Sequence, residues 1–161
     1  MKVYHEATTN YSGRTVDMLL LQFVDIPQAD VQVRPDVSRS PRMTTGIEKL
    51  VQRFAYLFLT QVGTVRNRDT EGTEFMSLLG SGHIYDENTL RSAAASAGKA
   101  VYNQIRTEDK SLDTPDDEAL ESATVTGLVL DRSRATVSVT FLIRTVSGDT
   151  YKYTIPVSTG V

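Results

Sequence analysis

The residues best suited to chemistry in this chain are few. His5 and His83 are its only histidines, and it has no cysteine. A zinc-type metal site needs three or four His, Cys or carboxylate ligands at close spacing. Both histidines stand beside polar or Gly-rich sequence, without ligand spacing. The lack of cysteine excludes disulfides and thiolate metal sites. Gly80-Ser81-Gly82 lacks the Lys and the preceding strand that a phosphate cradle requires. The serines have no base positioned beside them. The sequence therefore reads as a non-enzyme, with no catalytic residue, no cofactor and no metal. The acidic segment 107–121 holds Glu108, Asp109, Asp113, Asp116, Asp117, Glu118 and Glu121, with Pro115 inside it. It reads as a solvated connecting loop.

One polar segment stands apart. In Thr64–Glu71 (TVRNRDTE), Arg66, Arg68, Asp69 and Glu71 bring both signs of charge between Gly63 and Gly72. Two readings fit. It is a solvent loop whose ion pairs carry little energy, or a polar anchor that fixes the loop or meets a neighbouring subunit.

The flanking elements carry clear patterns. Thr45-x-x-Glu48 has the form of a capping box. Ile47, Leu50, Val51, Phe54, Ala55, Phe58, Leu59 and Val62 then recur at three- and four-residue steps, the signature of one apolar helix stripe. Gly63 is placed to end that helix in the left-handed conformation. A short helix is expected over 72–79 and a third over 87–106. The small-residue run Ser92–Ala100 in the third suits close approach, either to the domain's own sheet or to another molecule.

The C-terminus alternates as strands do. Ala135, Val137, Val139, Phe141 and Ile143 form one apolar series and Tyr151, Tyr153, Ile155 and Val157 another, with a turn at Ser147-Gly148-Asp149. A preceding strand is expected over 123–130. Pro156 cannot donate to a ladder, which predicts an edge for the last strand. An open edge is a template for strand addition, so Tyr151, Tyr153, Ile155 and Val157 are the expected partner-binding strand. Residues 1–43 read as an N-terminal arm. In it, Val16–Ile26 admits strand or short helix, with strand favoured, and a stretch bearing Pro27, Pro35 and Pro41 follows that is extended and orders against a partner. The fold class is α+β, with helices on a C-terminal antiparallel meander over 44–161 and the arm over 1–43.

Composition narrows the function. Hydrophobic residues make up 40% and charged residues 23%, as in soluble globular domains. No apolar run reaches the roughly 18 residues of a membrane span, and MKVYHEATTN has no apolar signal core. The net charge of −3 argues against a nucleic-acid partner. Twelve of the 17 basic residues are Arg, which suits planar ion pairs at protein interfaces.

From 44 to 157 the chain resembles the baseplate wedge and tail-sheath-initiator proteins of contractile phage tails. That family shows a helix ending in Leu-x-Thr-x-x-Gly, a second Gly nine positions on, and a short helix with Leu-Leu. Leu59-Thr60-Gln61-Val62-Gly63 approximates the start, Gly72 falls nine positions on, and Leu78-Leu79 follows. Arg68 stands where the family carries an Arg. Thr64, Asp69 and Glu71 replace the family's Glu, Pro and aromatic residue. The resemblance implies a small adaptor of the virion baseplate, made in the host cytoplasm. It would be present in several copies around the tail tube, six being the expected number. It would contact wedge proteins and the tail sheath protein, with the tube as a further neighbour, and template the first sheath ring by sharing β-strands. Arg68, Gly63 and Gly72 are its implied loop anchor. A regulatory protein-binding module resembles the same family: an anti-adaptor that blocks regulated proteolysis. That is the alternative reading.

Overall fold

The alternation at the C-terminus builds three long antiparallel strands, β5 (Leu120–Asp131), β6 (Thr136–Thr145) and β7 (Thr150–Ser158). Before them come β1 (Asp17–Leu19), β2 (Leu21–Val24), β3 (Val31–Pro35), β4 (Arg42–Thr44), α1 (Gly46–Leu59), α2 (Phe75–Gly80) and α3 (Glu87–Leu112). This computed structural model describes residues 16–24, 31–35, 42–82 and 86–158. The fold is α+β, with helices packed on the C-terminal meander.

One face of the meander is apolar and buried. Val137, Val139, Phe141 and Ile143 of β6, and Tyr153, Ile155 and Val157 of β7, turn to the helices. Phe54 and Phe58 of α1 bring their rings to 5.1 and 4.8 Å from that of Phe141, and Phe58 meets Phe75 of α2 at 4.6 Å. Each such buried side chain contributes roughly 1.5–3 kcal/mol. The small-residue run of α3 lies on the domain's own sheet: a Cβ at Gly98 would sit 3.3 Å from Phe141 Cε1.

Several expectations need correction. Thr45 is the N-cap of α1, but its side chain makes no capping bond. The Glu118 carboxylate takes that place, accepting from Gly46 N at 3.2 Å and from Lys49 Nζ at 2.8 Å. The end of α1 comes at Leu59, with Thr60 extended, so Gly63 lies in the turn beyond and does not cap the helix. The helix α3 runs on to Leu112, into the first part of the expected acidic loop.

The described residues of the N-terminal arm are drawn into the fold. Val16–Ile26 contributes two strands: β1 pairs antiparallel with β4, and β2 with β3. β3 in turn lies parallel to β7, pairing Val31 with Tyr153 and Gln32 with Thr154. The strand order is therefore β2-β3-β7-β6-β5, and the last strand of the chain is interior to the sheet. Pro156 lies beyond the last residue of β7 paired with β3, so its missing N–H does not mark the edge of the sheet.

Candidate partner-binding surfaces

The loop between α1 and α2 is closed by backbone. Thr73 N donates to Thr60 O at 2.8 Å and Val62 N to Thr73 O at 3.0 Å. The buried Thr73 hydroxyl donates to Phe58 O at 2.9 Å. Gly72 is pinned from the side by α3. Its N–H donates to Gln104 Oε1 at 3.0 Å, and Gln104 Nε2 donates back to its carbonyl at 2.7 Å. A primary amide offers both groups in one plane, so one side chain satisfies both backbone atoms. Gly72 has φ 101°, and an added Cβ would collide with the Thr60 carbonyl. Only glycine meets both conditions.

The other anchor residues play smaller parts. Gly63 also has positive φ, 81°, but faces open space. Arg68 is exposed and donates to Glu71 Oε2 at 3.0 Å, and that bond raises the pKa of its guanidinium. Loop and helix together wall a groove of about 580 Å³, lined by Arg68, Glu71, Asn103, Thr107, Ser111 and Leu112 among others. Nothing in the sequence marked Gln104, which sits in a polar stretch of an otherwise ordinary helix.

A second glutamine does the same work at the arm. The buried Gln52 of α1 accepts from Leu20 N at 2.6 Å and donates to Met18 O at 2.8 Å, holding the end of β1. The acidic segment is likewise structural. Arg53 bridges Glu108 and Asp109, and Asp109 Oδ2 accepts from Leu120 N at 3.1 Å. A solvated connector is thus the wrong description of Glu108, Asp109 and the buried Glu118.

The residues expected to form a partner-binding strand belong to the core. Tyr153, Ile155 and Val157 are buried against the helices, and Tyr151 is half-buried. The outer backbone of β7 already carries β3 at Tyr153 and Thr154. The Tyr153 hydroxyl is buried without a hydrogen-bond partner, and burial pushes its pKa well above the ordinary value. The edges of the five-stranded sheet, among the described strands, are β2 and β5.

Among the described residues no group of three or more His, Cys, Asp or Glu is placed to hold a metal, and no helix is long and apolar enough to cross a membrane. His5 and His83 lie outside the described residues. No protein-family model, curated protein or solved structure matches this chain.

Proposed function

We propose that this chain is a structural protein of a contractile phage tail baseplate, which links wedge proteins to the tail sheath and templates sheath assembly by sharing β-strands. The observation that carries the reading is β3 on β7. A strand from the arm adds in parallel to a meander far from it in sequence, at Val31↔Tyr153 and Gln32↔Thr154. That pairing lies within the chain; it supports strand sharing with a partner in that β5 presents an outer edge of the same sheet. Main-chain pairing of that kind gives affinity with little demand on side chains. In this reading the chain is not an enzyme, and its work in the virion is mechanical.

Removing the gene from a phage that carries it tests the proposal. Particles from the deleted strain should show tubes without sheath, with sheath protein left in soluble or aberrantly polymerised form. Normally sheathed, contractile tails in the absence of the chain would refute it.

A further inference from the structure

β5 is the longest strand, with 12 residues, and it ends the sheet. Among the described residues no strand lies on its outer side. Register shifts fall between Leu120 and Ser122 and between Val125 and Gly127, which leaves two regular runs, Ser122–Val125 and Gly127–Asp131, and the first of them borders the groove described next. Shifts of this kind blunt an edge, and the regular run between them is where a short strand can pair.

Beside this run α3 and β5 enclose a groove of about 470 Å³. Its apolar floor includes Gly98, Val125 and Phe141, and Ala95, Lys99 and Tyr102 form its helix wall. The missing side chain of Gly98 helps to keep it deep. A strand added to β5 turns every second side chain to the helix face of the sheet, which is where the groove lies. Those side chains meet an apolar floor.

The charges select further. Glu121 at the strand end of the groove is held by Arg144 at 2.7 Å. Arg106 donates to Leu120 O at 3.3 Å and stands 6.0 Å from the centre of the Tyr102 ring. Lys99 is exposed on the groove wall, and no ion pair to it is found among the described residues. Of the two charges on the groove lining, Glu121 has Arg144 beside it and Lys99 stands alone, so a carboxylate suits the wall at Lys99.

We propose that the β5 edge and the α3–β5 groove together receive an extended segment of a partner protein, with apolar residues at alternate positions and a carboxylate beside Lys99. This rests on the strand-sharing reading above and places its site on β5 in place of β7.

The test is a titration of the isotope-labelled full chain with a short synthetic peptide alternating valine and threonine, with one central glutamate. Amide shifts should be saturable and centred on Ser122–Val125 and Gly98–Tyr102. The same peptide with lysine for glutamate should bind several-fold more weakly, and Lys99→Glu should reverse that order. Ala95→Trp, at an exposed helix position, should fill the groove and abolish binding without lowering the melting temperature. Unsaturable shifts at millimolar peptide, shifts centred on β2, or indifference to the peptide's charge would overturn the proposal. So would pairing of β5 with β5 of a second copy, seen as a dimer by light scattering. If Ala95→Trp still gives sheathed tails, the groove is wrong while the baseplate reading stands. If the chain binds the peptide but is absent from tails, the baseplate reading fails and the groove remains.

Discussion

Gly72 and Gln104 hold the α1–α2 loop as one unit, and each can be tested alone. Gly72→Ala forces a left-handed backbone on alanine and drives its Cβ into the Thr60 carbonyl. Strain of that kind costs on the order of 1–3 kcal/mol, and the urea midpoint should fall accordingly. Gly63→Ala, with open space around it, should cost less than Gly72→Ala in the same titration. Gln104→Leu leaves the Gly72 N–H and carbonyl without their partner, a loss of about 1–3 kcal/mol for partly buried groups. Arg68, paired only with its neighbour Glu71, should accept lysine or alanine without change in melting temperature. If Arg68 meets a partner, only assembly yield will respond, and Arg66 variants will not share the effect. Gly72 is legible in the sequence only through the family resemblance, whose motif is local. Gln104, Gln52 and Glu118 were not legible, since each acts on backbone 32 to 72 residues away. No local pattern encodes such a meeting.

The elements carry their own predictions. Phe54 of α1 is fully buried against Phe141. Phe54→Ala should destabilise by about 3–5 kcal/mol, read as a lower melting temperature together with loss of soluble protein. Deleting Thr150–Ser158 removes Tyr153, Ile155 and Val157 from the core and β3's partner with them. The product should fail to fold, and a soluble helical remainder would contradict the placement of β7. α3 begins on Asp86, whose carboxylate accepts from Thr89 N at 2.6 Å. That bond lowers the Asp86 pKa below the ordinary 3.8. A depressed folded-state pKa gives stability that is present above the unfolded value and lost as pH falls through the folded one. Asp86→Ala should therefore destabilise at neutral pH and lose that effect below pH 3.8, as paired denaturation curves would show. Strands and helices were readable wherever one periodicity ran unbroken, as in β6, β7 and α1. The last part of α3 was missed because its acidic residues look solvated. Arg53 makes them structural, and Arg53 lies on another helix. Alternation tells which residues of β7 face inward but not which strand lies beside it: the stretch that holds β3 reads as extended, and its pairing with β7 is not legible.

At the scale of the molecule, the described residues form a five-stranded sheet with helices on one face, in which the β2–β3 hairpin extends the meander, and a separate two-stranded sheet of β1 and β4. The arm is held by Gln52 on β1 and by β7 on β3. The net charge of −3 and the abundance of Arg fit a protein that meets other proteins. The most direct test is electron microscopy of intact tails from a phage that carries this gene. The account predicts a ring of copies between the wedges and the first sheath disc, with a sheath strand lying along Ser122–Val125 of β5. A tail in which the chain is absent from that ring, or in which β5 faces solvent while the sheath begins elsewhere, would contradict it.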